Sequence, residues 1–307
     1  MTTPVSTHKR VFADLGLFYS AAIWGSTFFI VKDALNDIDP IILVGYRFLM
    51  AGLILLAYLK ISGRPILKGL GQATVLAVIL FLLYVPQTIG LKYTTASNSG
   101  FITGLFVAFV PVFMLTIFRR KPTVAEVVAS IVSLGGLWIL TGGLKDINVG
   151  DSLTLIAAMT YALHVLYADK YVKSGIDPYT ICTQQFLLVG LFSLVTGLVL
   201  GLPFMIGSAA AGRTVIFLAL FPTLSAFVIQ MVAQRITAPL KVSLIFALEP
   251  VFAAVFAWTL GGEEFVPHRA AGGALIFVAL VISGLSTPAL KLWKFITLNT
   301  RRGDNSR

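Results

Sequence analysis

Apolar runs of about 20 residues recur along this chain, separated by short polar or basic breaks. A run of that length, coiled as a helix, crosses roughly 30 Å of hydrocarbon. The pattern predicts ten spanning helices, over 12–32, 41–59, 70–91, 96–118, 124–142, 152–169, 179–200, 213–234, 242–260 and 270–290. The first follows Lys9 and Arg10, as the core of a signal peptide would. It is too long for such a core and lacks a small-residue cleavage site, so it reads as a spanning helix.

The pattern is also written twice. Ala21–Pro40 and Ala157–Pro178 both leave an apolar run through Ile-Asp-Pro. A shift of 138 aligns GYRFLMAGL from Gly45 with TQQFLLVGL from Thr183, so Phe48 meets Phe186 and Gly52 meets Gly190. A shift of 143 pairs Gln87 with Gln230, Gly90 with Ala233, Lys92 with Arg235 and Thr94 with Thr237. VPVF at Val110 answers EPVF at Glu249, with about one helical turn fewer in the second half. Five spans per half is an odd number, so the second copy is expected upside down relative to the first. Two inverted five-helix repeats are the mark of many secondary transporters, whose substrate site lies near midplane between the halves. The expected units are residues 1–145 and 146–307. Gene duplication that merely built a stable bundle is the competing account.

Composition agrees with lipid as the solvent. Of 307 residues, 57% are hydrophobic and 12% charged, against about 25% charged in soluble domains. The mean hydropathy is +0.92. A net charge of +10 would suit nucleic acid only if Lys and Arg clustered on one folded surface. Here they stand between the apolar runs, so no nucleic-acid partner is expected. The amino terminus, the even-numbered loops and the tail carry 17 Lys and Arg, the odd-numbered loops five. The positive-inside rule then puts both termini in the cytoplasm of a multi-pass protein of the bacterial cytoplasmic membrane. A lone Cys182 and scattered His8, His164 and His268 offer no metal-ligand spacing. No phosphate-binding G-x-x-x-x-G-K-[ST] run is present, and His164 has no evident partner for a hydrolytic triad. No cofactor and no enzymatic activity are expected.

LKYTTASNSGFITGLFVAFVPVF (Leu91–Phe113) and TAPLKVSLIFALEPVFAAVFAWTLGGEEF (Thr237–Phe265) resemble the two EamA domains of the drug/metabolite transporter superfamily, and WGSTFF from Trp24 fits its first helix. The resemblance implies ten helices in two inverted repeats around a central cavity, and export or exchange of a small metabolite, amino acids among the cargoes. The chain departs from it where the first half closes its fourth helix on Arg119-Arg120-Lys121 and the second has Gly262-Glu263-Glu264.

Charges inside a membrane are costly and therefore informative. Glu249 lies eight residues past Lys241, about 12 Å into helix nine at 1.5 Å per residue. It suits proton coupling, or a buried pair that locks the helix, and protons are the candidate coupling ion. Arg47 lies about 10 Å in from the outer face, an axial gap of roughly 8 Å from Glu249 that a long side chain can reach, and is the expected partner of Glu249; binding a substrate carboxylate bidentately and snorkelling are the other readings. Trp24 is too deep for an interfacial anchor and is expected to line a cavity, beside Ser26 and Thr27, which more simply bond their own helix. Tyr84 and Gln87 interrupt helix three around Pro86. Asn98 either lines the site or caps helix four. Tyr161, His164 and Tyr167 share one face of helix six, with a plain buried histidine as the alternative for His164. Gln230 repeats Gln87. The expected substrate-binding set is Trp24, Arg47, Tyr84, Gln87, Asn98, Tyr161, His164, Gln230 and Glu249, for a small amphipathic solute.

Overall fold

The computed structural model describes residues 6–143, 148–259 and 265–282, all helix and loop with no strand among them. The helices are α1 His8–Ala34, α2 Pro40–Ile61, α3 Leu70–Gly90, α4 Asn98–Thr116, α5 Val124–Thr141, α6 Val149–Lys173, α7 Pro178–Val199, α8 Ala209–Gln234, α9 Pro239–Phe256 and the shorter α10 Pro267–Ile282. The first nine are long and apolar enough to cross a membrane. All ten expected spans therefore meet a helix. The end of the tenth, residues 283–290, and the Gly262-Glu263-Glu264 motif lie outside the described residues.

Local chemistry sets the boundaries. The repeated Ile-Asp-Pro is a helix start: Asp39 and Asp177 accept from the backbone of Ile41 and Thr180, while Pro40 and Pro178 take the first helical position, where no amide hydrogen is needed. α6 begins earlier than its apolar run because Asn148 and Asp151 close a capping box. Thr123 and Glu126 do the same for α5.

Four spans are interrupted. α1 turns at Ser26, between helical segments Thr7–Gly25 and Thr27–Ala34. The Ser26 and Thr27 hydroxyls donate to Ile23 and Trp24 carbonyls of their own helix, both at 2.7 Å, which bends helices. α4 breaks at Leu105, and α9 between Phe246 and Glu249. α8 passes through a π-helical segment, Ala219–Ser225, around Pro222. A proline cannot donate to the preceding turn, so it loosens the ladder there.

Contacts sort the loops into two ends. At the basic end Arg64 meets Asp177, Arg120 and Lys173 meet Asp169, and Lys241 meets Asp14. At the other end Lys32 donates to the Leu91 and Thr94 carbonyls, Thr94 to Asp151, and Ser208 to Asp37. The even-numbered loops thus share one end with the start of α1, and the first, third and seventh loops share the other with the start of α6.

α2 and α7 pack most extensively, through residues that the sequence repeat made equivalent. A Cβ on Gly52 would stand 2.9 Å from the Leu187 amide, and one on Gly190 2.7 Å from the Leu49 amide. The contact is reciprocal under the 138-residue shift. Phe48 and Phe186, also equivalent, meet edge to face at 5.7 Å.

Candidate functional site

The interruptions converge on one place. Glu249 opens the second segment of α9, at a helix amino terminus where a negative charge is favoured. Its Oε1 accepts from the Tyr161 hydroxyl at 2.6 Å. Tyr161 in turn stacks on Phe106, just past the break in α4, with centroids 4.2 Å apart. Trp24 donates through Nε1 to the Pro222 carbonyl at 2.7 Å. Arg47 donates through Nε to Thr223 Oγ1 at 2.9 Å, and its guanidinium lies 4.8 Å from the Tyr84 ring centroid, in range for a cation–π contact. The π segment of α8 thus supplies both acceptors. Such segments leave the regular ladder and recur at functional sites.

These side chains line a central cavity of about 30 Å³ that runs past Gln87, Thr103 and Phe28 to Val31 and Leu91, near the odd-loop end. A water molecule needs at least about 10–15 Å³, so this conformation holds water-sized contents only. A metabolite requires the helices to separate. Among the described residues no group of three or more His, Cys, Asp or Glu comes together to hold a metal.

Of the nine residues expected to bind substrate, Trp24, Arg47, Tyr84, Gln87, Tyr161 and Glu249 line this cavity. Gln87 spans α3 and α4 through a 2.8 Å bond to Thr103. Asn98 sits in the first turn of α4, where its amide donates to the capping Thr95 hydroxyl, away from the cavity. His164 and Gln230 are fully buried behind Phe227, not in it. The expected stripe on α6 is divided: Tyr161 faces Glu249, His164 faces Gln185, and Tyr167 packs on Phe118.

One expectation is corrected. Arg47 and Glu249 line the same cavity but form no ion pair; each is held by a neutral hydroxyl instead. An axial gap short enough for a long side chain to bridge says nothing of the directions in which two residues point around their helix axes. Thr223, Phe227 and Thr103 were not anticipated, because Thr and Phe are ordinary in apolar helices; Pro222 was the available signal for the first.

Helices long and apolar enough to span a membrane, four of them interrupted and converging on a small cavity, define a polytopic carrier. The EamA-like transporter family model matches residues 11–142 and again 148–285, and the chain belongs to that family. It is 30% identical over 277 residues to an uncharacterized transporter of Archaeoglobus fulgidus, covering 90% of this chain and 87% of the relative. It is 27% identical over 281 residues to the uncharacterized inner membrane transporter YedA of Escherichia coli K12, covering 87% and 89%. A relative from Chlamydia muridarum, 24% identical over 293 residues and covering 87% and 88%, is named an S-adenosylmethionine/S-adenosylhomocysteine transporter. A solved crystal structure superposes with a TM-score of 0.76 at 16% identity, covering 91% of this chain and 98% of the other, a likeness of fold.

Proposed function

We propose that the chain is a secondary transporter that exports an amino acid or a similar small amphipathic solute across the cytoplasmic membrane. It works by alternating access between two inverted five-helix repeats, residues 1–145 and 146–307, with both termini in the cytoplasm. The observation that carries the reading is the pair Arg47 and Glu249, a basic and an acidic side chain that line one cavity with no ion pair between them. A zwitterion would match both, its carboxylate on Arg47 and its ammonium on Glu249, with the remainder against Trp24, Tyr84 and Phe227. Reciprocal packing of Gly52 and Gly190 supports the repeat, and the distribution of Lys and Arg supports the orientation. The cargo in the Chlamydia relative's name carries the same α-amino-acid group. A second reading, a carrier of lipophilic cations exchanged for protons at Glu249, is favoured by the aromatic lining alone.

The test is counterflow in proteoliposomes against a panel of radiolabelled amino acids and, separately, lipophilic cations. Saturable, ATP-independent exchange of an amino acid, lost in both Arg47→Met and Glu249→Gln, is expected. Flux that rises linearly with concentration would make the protein a channel. Exchange of cations with indifference to Arg47→Met would favour the second reading.

A further inference from the structure

Behind the cavity, toward the basic end, lies a second polar layer that the site above does not use. Its members are His164 on α6, Cys182 and Gln185 on α7, and Gln230 and Gln234 on α8, every one with no exposed surface. The bonding pattern fixes their orientations. The Val165 carbonyl can only accept, so Gln234 donates to it through Nε2 at 2.9 Å and turns its Oε1 toward Gln230. Gln230 donates to that oxygen at 3.1 Å. Gln230 Oε1 is then left buried with no partner. His164 Nε2 meets Gln185 Oε1 at 3.1 Å; with the proton on Nε2, the neutral ring presents Nδ1 as a second buried acceptor, also without a partner. A buried polar atom left unpaired carries its full desolvation penalty, and this layer holds two of the seven such side-chain atoms among the described residues.

A single ring separates the layer from the cavity. Phe227 lines the cavity on one side and stands edge to face with His164 at 5.7 Å on the other. It also touches Trp24, Tyr84 and Phe186, at 5.0, 6.1 and 5.8 Å between centroids. Gln230 follows Phe227 by one helical turn, and the Phe227 carbonyl lies 3.9 Å from Cys182 Sγ.

We propose that the layer around His164 and Gln230 is a second binding station on the solute path, reached when Phe227 turns aside, and that it takes an ammonium group. Two unfilled acceptors and no buried charge suit a donor that arrives with its own hydrogens. The two atoms left without a partner are both acceptors, so an anion would face their lone pairs. The proposal takes from the transport reading only that solute passes between the cavity and the basic end.

Cys182, the chain's sole cysteine, is a built-in reporter. Full-length protein in inside-out membrane vesicles is alkylated with N-ethylmaleimide, with or without ethylammonium chloride or sodium propionate. Ethylammonium is expected to slow Cys182 alkylation about threefold at twice its dissociation constant, and propionate to leave the rate unchanged. Phe227→Ala should raise alkylation several-fold, and Cys182→Ser should abolish it. In the His164→Leu/Gln230→Leu double variant the rates with and without ethylammonium should become equal; Gln230→Met, which keeps the shape and loses the acceptor, carries the same test if the double variant does not assemble. Equal effects of the two salts would overturn the proposal, as would protection that survives loss of both acceptors. So would a Cys182 that stays inert in wild type and Phe227→Ala alike. The cavity reading is tested separately, because Glu249→Gln counterflow does not report on Cys182 and protection of Cys182 does not require Glu249.

Discussion

Gly25 of α1 lies directly against Glu249 of α9: a Cβ at residue 25 would stand 2.4 Å from the Glu249 carbonyl oxygen and 3.0 Å from Phe252 Cβ. This approach lets Trp24 and Glu249 share one cavity. Backbone cannot yield as a side-chain tip does, so Gly25→Ala is expected to part the helices at a cost of about 1–3 kcal/mol, read as a fall in melting temperature in detergent. Gly25→Trp should abolish counterflow in protein that still purifies as a folded species. An alanine variant with wild-type melting would show that the helices do not meet here.

The hydroxyl contacts make a prediction about energetic coupling. Tyr161 touches Glu249 and Arg47 does not. In double-mutant cycles, Tyr161→Phe with Glu249→Gln should show an interaction of about 0.5–3 kcal/mol, whereas Arg47→Met with Glu249→Gln should be closer to additive. Melting of the four proteins in each cycle measures both. Strong coupling of the charges with none to Tyr161 would restore the ion pair first expected from the sequence.

Glu249→Gln also separates coupling from scaffolding. The amide keeps an acceptor for Tyr161 and cannot exchange a proton. Loss of exchange in Glu249→Gln, with a wild type indifferent to an imposed pH gradient, is expected if Glu249 binds the solute ammonium; a variant that still exchanges solute but no longer answers the gradient would assign Glu249 to proton coupling instead.

The basic end offers two carboxylates in contrasting settings. The Asp169 side chain has no exposed surface and holds Arg120 and Lys173; that of Asp177 is one quarter exposed and meets Arg64 and Arg235. Asp169→Asn is expected to cost about 1.5–3 kcal/mol, the worth of buried bonds to a charged group. Asp177→Asn should cost about 0–1 kcal/mol, as exposed pairs do. Raising the salt should narrow the deficit of Asp177→Asn more than that of Asp169→Asn, which melting at two ionic strengths checks.

Topology can be read by cysteine labelling in a Cys182→Ser background. Gly63→Cys, Lys121→Cys and Asn299→Cys, the last outside the described residues, should react only from the cytoplasm. Asn36→Cys and Asn148→Cys should react only from outside. A swap between the sets would end the inverted-repeat reading, which needs five spans in each half.

The spans and most of the cavity were legible because each signal was a contrast with its surroundings. Glu249, Arg47 and Trp24 stand out in apolar helices, and the doubled Ile-Asp-Pro marks two helix starts through cap and proline chemistry that is local in sequence. What the chain did not disclose depends on rotation about a helix axis. Arg47 and Glu249 lie within reach of each other along the axis yet bond to other groups, and His164 turns away from the Tyr161 face onto Gln185. The role of Phe227 was hidden for a different reason: one phenylalanine among 23 gains its place only from the five rings packed around it.

The π segment of α8 makes that helix two rods on a swivel. Ala209–Leu218 and Ala226–Gln234 are regular α-helix, and the turn between them is a π-helical segment, whose bonds reach five residues back rather than four. Trp24 clasps it from α1 and Arg47 from α2. Phe227 stands on the second rod, just past the clasped turn, so any tilt of that rod carries the ring with it while side chains of the other half of the chain hold the turn.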